Sequence, residues 1–398
     1  MIPTVGIASM NDTVSLDIAC SKMWDIVVVG SGVAGSITAR EAALLGSRVL
    51  LIEKARLPRR KVCGCFLNAN TLASLVQLNL GHLVVEAEAP SVKGVYLSAG
   101  KHRAYLPLPT GAALSRFRLD DQLSAEAVAA GASFLSGTEA HLIARNEDHC
   151  RLRLICGSQN GEIRCRIVIA ADGLAGGLAR ETNSCTRVVQ PHSRIGVSAA
   201  MSFAPRSYKP GTIEMVIGHD GYIGILQVED GHLEIAGALD PAAIKRWGIA
   251  ESIQRIFRAS PLPELEAVDE LQWKGTPPLS AHTTPVASHR LFFVGDAAGY
   301  VEPYTGEGMA WAIASAATLA PIAHQAAQNY SCDLLGRWIK ARERLLGIHM
   351  RACRLLTQGL RNDLATKLAV RLFKRFPFLA KPFTNWLYRP CTLPSASR

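Results

Sequence analysis

Asp25-Ile-Val-Val-Val29 runs without a break into Gly30-Ser-Gly32-Val-Ala-Gly35, and this junction constrains the chain more than any other feature. A short β-branched run is the mark of a strand buried on both faces of a parallel sheet. Directly after it, Gly30 permits a tight turn. Gly32 lets the backbone approach a pyrophosphate, and Gly35 lets the next helix lie close against the strand. That helix, opening at Val33 and Ala34, offers N–H groups and its positive end to phosphate oxygens. Ala39 and Ala43 continue at helical spacing, Gly46 ends the helix, and Arg48-Val-Leu-Leu-Ile52 is a second strand with Glu53 at its tip. A carboxylate about 20 residues beyond the glycine loop accepts hydrogen bonds from the hydroxyls of an adenosine ribose. An ordinary glycine-rich turn does not account for strand, helix and acid in this alignment. Glu53 also disfavours a 2′-phosphate at the same place by charge repulsion, an argument softened by Lys54 and Arg56 just after it. The loop by itself does not choose between FAD and NAD.

Two later junctions bear on that choice. Cys165-Arg-Ile-Val-Ile-Ala-Ala171 reads as a buried strand ending in Asp172-Gly173. Arg290-Leu-Phe-Phe-Val294 is another, ending in Gly295-Asp296, and Pro303-Tyr-Thr-Gly306-Glu-Gly308-Met309 then leads into a long Ala-rich helix. A flavin dinucleotide is long, and its ribityl chain needs an acceptor far from the adenosine; Asp296 at a strand end is suited to that. A helix starting at Gly306 to Gly308 aims its positive end at the pyrimidine edge of the ring and favours the reduced, anionic form. Each junction alone is a common turn signal; their order and spacing indicate non-covalent FAD.

With these motifs in place, the chain resembles the large flavoprotein family of geranylgeranyl reductases, related flavin-dependent dehydrogenases, aromatic-ring monooxygenases and flavin halogenases. The resemblance runs from Trp24 to the helix after Met309. It implies that Gly30, Gly32, Gly35 and Glu53 hold the ADP half, with Lys54 beside them. It also implies that Arg116, four residues before Asp120, contacts the flavin, and that Asp172-Gly173 and Gly295-Asp296 complete the site. Arg60-Lys-Val-Cys63-Gly64 is similar to a Lys-x-Cys-Gly run of the geranylgeranyl-reductase-like members, which places Cys63 and Gly64 near the ring. Cys65-Phe66 departs from those relatives, so two readings of Cys63 stay open: a small residue in a tight loop, or a thiol acting at the ring.

The implied fold class is α/β: a Rossmann-like FAD-binding domain, an inserted antiparallel-sheet substrate domain and a helical C-terminal region. The expected division is a disordered lead-in over 1–23, FAD-binding segments 24–90, 111–190 and 281–330, substrate-sheet segments 91–110 and 191–280, and a basic helical region 331–398. Ile213-Glu-Met-Val-Ile217, Gly221-Tyr-Ile-Gly-Ile-Leu-Gln227 and His232-Leu-Glu-Ile-Ala236 carry the strand alternation of that sheet. In the reductase relatives an aromatic faces the ring where Gly221-Tyr222 falls, so Tyr222 is either a pocket residue or an ordinary sheet aromatic. Beyond Cys63 and Tyr222 no catalytic side chain is nominated: the histidines do not cluster and no carboxylate pair is visible.

From Asp333 to Arg398 the chain has 14 Lys and Arg against 3 Asp and Glu, so essentially all of the net charge of +10 belongs to this tail. Leu364, Leu368, Leu372, Phe373 and Phe376 recur at helical spacing, with Lys367, Arg371, Lys374 and Arg375 largely off that stripe. Two readings of 364–389 stay open: a helix packed on the body with a solvated basic face, or peripheral contact with an anionic membrane surface. Nucleic acid is disfavoured, because the bases sit beside an apolar stripe and no recognition motif is present.

Ten cysteines are scattered from Cys20 to Cys391 with no CxxC pair, so no metal site or iron–sulfur cluster is expected. Nor does an apolar run reach the ~20 residues of a membrane span, and Met1–Lys22 lacks the pattern of a signal peptide. The expected location is cytoplasmic, with peripheral contact at the inner membrane face under the second tail reading. The leading expectation is an FAD-dependent reductase or dehydrogenase of an apolar, isoprenoid- or polyketide-like small molecule. The alternatives are an NAD(P)H-dependent monooxygenase and a non-catalytic prenyl carrier of the same fold. A halogenase is disfavoured by the missing Trp-x-Trp-x-Ile-Pro run, and a cluster-bearing quinone dehydrogenase by the cysteine spacing. No second GxGxxG is present, so NAD(P)H would act as a transient donor; the donor itself is left open.

Overall fold

Met23–Val29 lies at the centre of a mainly parallel sheet, paired with Val49–Ile52 on one side and Gln159–Ala170 on the other. Leu291–Phe293 and Ser133–Leu135 extend it in parallel on either side. Val27, Val28, Leu50, Leu51, Ile167 and Val168 are fully buried, as β-branched and aliphatic runs must be when helices cover both faces. Helix Val33–Leu44 packs between helices Arg116–Ala129 and Gly308–Gln328. Ala34, Ala39, Ala42, Ala43 and Ser36 supply much of its surface, which allows close approach. The computed structural model describes residues 11–202, 208–302 and 304–388; Pro303, Arg389, Cys391 and residues 1–10 fall outside these.

The expected disordered lead-in is corrected over residues 11–23. Ser15 caps a short helix, Leu16–Ser21, by accepting from the Ile18 N–H, and Leu16 and Ala19 turn their apolar side chains into the core. The Trp24 indole donates to the Ala19 carbonyl at 2.9 Å, and the Thr13 N–H donates to the Phe134 carbonyl at 3.0 Å. Two small apolar residues a helical turn apart are too weak a pattern to read alone, yet they suffice to cover the strand Gln159–Ala170. The first strand accordingly begins at Met23.

The second sheet has eight strands, in the order Lys274–Pro278, Ile195–Met201, Leu233–Leu239, Gly221–Gln227, Thr212–Gly218, Ser91–Ala99, His102–Ala113 and Phe66–Leu67. Every pairing in it is antiparallel but one: Thr212–Gly218 runs parallel to Ser91–Ala99. This pairing joins two stretches of chain that are distant in sequence. The 102–113 strand also runs on past residue 110, and Phe66–Leu67 adds an edge from the segment after the glycine-loop unit.

Helices Asp333–Gly359, Asp363–Arg375 and Ala380–Leu387 form the described part of the C-terminal region. The last two lie on the strand His102–Ala113. Thr366 and Val370 are buried there, and Phe373 packs alongside them. The rest of the apolar stripe points outward: Leu364, Leu368, Leu372 and Phe376 are 78%, 66%, 44% and 40% exposed. So the helix does pack on the body, but by a different face from the one the leucine spacing marks. None of the helices among the described residues is long and apolar enough to cross a membrane.

Glu302 ties the three parts together. Its carboxylate accepts from Arg194 at 3.2 Å, just before the strand Ile195–Met201, and from Arg361 at 3.3 Å, between the C-terminal helices. The Glu302 and Arg194 side chains are 0% and 1% exposed. Burial pushes the Glu302 carboxyl up, against the pull of both guanidinium groups. Removing one partner of a buried ion pair leaves the other uncompensated, at roughly 3–5 kcal/mol. Glu302→Ala is therefore expected to lower the unfolding free energy by about that amount in chemical denaturation. Arg361→Ala, at the partly exposed end, is expected to cost less than half as much.

Candidate active site

A cavity of about 700 Å³ opens between the two sheets, running from Glu53 and Lys54 at one end to Tyr388 at the other. Of the residues nominated from sequence, Gly30, Gly32, Val33, Ala34, Glu53, Lys54, Cys63, Gly64 and Arg116 line it. Asp172, Gly173, Tyr222, Gly295, Asp296, Gly306, Gly308 and Met309 do so as well. Gly35 does not; it lies behind the wall, where an added Cβ would sit 1.8 Å from the Gly30 carbonyl oxygen. That is the close helix–strand packing expected of the third glycine. Gly30 itself has φ +104°, and a Cβ there would meet the Ala171 carbonyl oxygen at 2.4 Å.

Gly32 is the N-cap of helix Val33–Leu44 and has no side chain to satisfy the first N–H groups. Two cations stand beside this N-terminus: Lys61 Nζ and an Arg116 nitrogen lie 3.5 and 3.6 Å from where a Gly32 Cβ would be. Arg116 opens its own helix and donates from Nε and Nη2 to Asp120 at 2.7 and 2.9 Å. Asp120 holds Arg116 charged despite its burial. Arg59 bridges Asp120 and Glu53, at 2.9 Å to each. Glu53 Oε2 also accepts from the Ser31 N–H and hydroxyl, while Oε1 accepts from the Ala55 N–H. Burial works against the Glu53 carboxylate, yet Arg59 keeps its pKa below the ordinary range. The carboxylate expected to meet a ribose thus also anchors the glycine loop.

Arg59 and Lys61 escaped the sequence nomination, although Lys61 is the lysine of the Lys-x-Cys-Gly run. Burial lowers the Lys61 pKa and nearby Arg116 adds to it; among the described residues Lys61 forms no ion pair. Asp172 caps the following turn by accepting from the Leu178 N–H at 3.0 Å. Its other oxygen is buried with no partner among the described residues, and burial raises its pKa.

At the opposite end, Gly306 has φ +70° and leads into helix Gly308–Gln328. Glu307, buried at its N-cap, accepts from Asn68 at 2.8 Å and Asn70 at 3.4 Å, and desolvation raises its pKa to about 7. Sequence spacing did not reveal this carboxyl, because Asn68 and Asn70 come from the start of a helix, Ala69–Gln77, distant in sequence. Cys63 accepts from the Cys65 N–H at 3.3 Å. Hydrogen bonding from the Cys65 thiol, with Arg116 adding its charge, draws the Cys63 pKa down, while the Cys65 pKa is driven up. Beyond them stand Tyr222, Tyr300, Tyr304 and Tyr388. Tyr222 packs edge-on against Tyr304 with ring centroids 5.1 Å apart, and the Tyr388 hydroxyl donates to the Thr305 carbonyl at 3.0 Å. Burial pushes all four phenols up, so they are neutral.

A family model described as an FAD binding domain matches residues 23–329. This chain belongs to that family. It is an FAD-dependent oxidoreductase. Among curated proteins it is similar to the menaquinone reductase of Mycobacterium tuberculosis, 29% identical over 313 residues and 72% of each chain. It is also similar to a digeranylgeranylglycerophospholipid reductase of Thermoplasma volcanium, 25% identical over 350 residues, 83% of this chain and 86% of the relative. In fold it resembles the flavin-dependent brominase Bmp2, with a TM-score of 0.74 at 17% identity over 92% of this chain and 93% of the other. It likewise resembles a geranylgeranyl bacteriochlorophyll reductase-like protein of Thermoplasma acidophilum, with a TM-score of 0.68 at 20% identity over 92% and 99%.

The residues present fit this cofactor. Lys61 and Arg116 lie beside the uncapped N-terminus of helix Val33–Leu44 at Gly32, a grouping of positive charge that suits a diphosphate. Gly32→Val puts a branched side chain into the space beside Lys61 and Arg116, where a Cβ itself makes ordinary contacts. The variant is expected to fold yet purify with at least about ten-fold less flavin per protein, as an absorbance ratio reads; charge-assisted hydrogen bonds of about 1.5–3 kcal/mol are at stake.

Glu307 generates a pH prediction. The folded state binds its proton more tightly than the unfolded chain, so the stability it confers is present at low pH and is lost as pH rises through about 7. Glu307→Gln mimics the protonated form. Its melting temperature is expected to match the wild type below about pH 4.5 and to exceed it by a few degrees at pH 8.

Proposed function

We propose that this oxidoreductase saturates carbon–carbon double bonds in an isoprenoid chain of a lipid-type substrate. The observation that carries the reading is the wall of the cavity away from the cations. There the second sheet presents Val95, Leu97, Leu106, Leu108, Met215 and Leu226, and the tyrosines close the end. A wall of this kind favours an apolar chain, at roughly 25 cal/mol per Å² of buried apolar surface. The relatives named for reduction of menaquinone and of digeranylgeranylglycerophospholipid support the same substrate class.

Bound FAD supplies the two-electron chemistry. The chain's own residues do the rest. The Gly32 loop, Lys61 and Arg116 would hold the diphosphate, and Asp296 would accept hydrogen bonds from the ribityl chain. The N-terminus of helix Gly308–Gln328 favours negative charge on the pyrimidine edge. The sheet and the tyrosines exclude water and orient the alkene. NAD(P)H, bound transiently, is the proposed electron donor.

The test is anaerobic. Protein reduced chemically or with NADPH is mixed with an unsaturated menaquinone or geranylgeranyl lipid, and the product is weighed for one added H₂ per reduced double bond. Fast reoxidation in air with an oxygenated product would instead make this a monooxygenase. Leu226→Asp sets a carboxylate in the apolar wall. It is expected to keep its flavin but to lose lipid reduction by an order of magnitude or more, in line with a burial cost of about 1–3 kcal/mol for an unpaired polar group.

A further inference from the structure

Helix Asp363–Arg375 has two apolar faces. One, with Thr366, Val370 and Phe373, is spent on the body. The other, with Leu364, Leu368 and Leu372, points away from it. Residues four apart on a helix stack along one side, so these three leucines form a continuous ridge. Arg371 and Arg375 fall beside the ridge and Lys374 at its margin, by the same spacing.

The charges around this ridge are nearly all of one sign. Arg371, Lys374, Arg375 and Lys381 are exposed and form no ion pair among the described residues, whereas Lys367 is matched by Asp363 at 2.5 Å. Phe378 and Trp386, 71% and 46% exposed, lie on the turn and helix that follow. Leucines between unpaired Lys and Arg, with aromatics at the border, are the composition of a surface that seats in a lipid headgroup layer.

A second observation points the same way. Helix Ala380–Leu387 follows directly and is two-sided. Phe383, Thr384 and Leu387 line the cavity. Trp386 is outside, its ring 6.3 Å from that of Phe383. The apolar end of the cavity is therefore separated from the basic, leucine-ridged surface by a single short helix.

We propose that this surface docks on an anionic lipid bilayer, with Leu364, Leu368 and Leu372 in the headgroup layer and helix Ala380–Leu387 at the mouth through which a lipid passes from bilayer to cavity. The passage of substrate rests on the function proposed above; the docking does not. The bilayer holds the protein at its surface, because no described helix can span it.

The experiment is co-sedimentation of the full flavin-loaded chain with vesicles, either of phosphatidylcholine alone or with phosphatidylglycerol added. Wild type is expected to pellet with the phosphatidylglycerol vesicles and to be released by high salt. A Leu364→Ser, Leu368→Ser, Leu372→Ser triple variant is expected to partition at least about ten-fold less, with unchanged flavin content and unchanged turnover of detergent-dispersed substrate. Arg371→Glu with Lys374→Glu is expected to lose the preference for phosphatidylglycerol. Equal pelleting of triple variant and wild type, or no pelleting of wild type, overturns the proposal. So does a wild-type dimer that the leucine substitutions convert to monomer, since a second copy would then cover the ridge. Vesicle binding reads no turnover, so docking stands or falls apart from the assignment of the reaction.

Discussion

Desolvated charge sets the terms for this site. Glu53, Arg59, Asp120 and Arg116 are linked in a row, each anion bonded to a cation at 2.7–2.9 Å. Buried ions persist only when paired and fully hydrogen-bonded. The row therefore fixes three elements relative to one another: the tip of the second strand, the loop after it, and the helix that starts at Arg116. The glycine loop is drawn in through Ser31 on Glu53. The position of the cavity wall follows from this pairing, and the apolar sheet is hung opposite it.

What could be read from sequence was local. The β-branched run, the glycines and the acidic strand tip lie within a few turns of chain, and each has a stereochemical reason independent of the rest of the fold. Asp172, Asp296 and Gly306 were legible for the same reason: strand ends and turns declare themselves. Arg59 and Lys61 were not nominated, because their value depends on Asp120 and Gly32, which sequence does not set beside them. Glu302 was invisible on the same grounds. Its partners Arg194 and Arg361 are 108 and 59 residues away.

The tail illustrates a different limit. Leucines at a helical period marked the right helix, within one residue of its start. Periodicity reports that an apolar face exists but not what covers it. Here a second, less conspicuous face of Thr366, Val370 and Phe373 meets the body. The lead-in failed in the opposite sense: Leu16 and Ala19 make a pattern too slight to notice, yet both are buried.

Lys61 carries a consequence for the life of the protein. It is enclosed in a wall that already holds Arg59 and Arg116, and burial and its cationic neighbours both press it to give up its proton. A diphosphate would give the Lys61 ammonium the ion-pair partner it lacks among the described residues, and a ligand that binds only the folded form raises its stability by mass action. Chain made when riboflavin-derived cofactor is scarce would open more often and be cleared by proteases sooner.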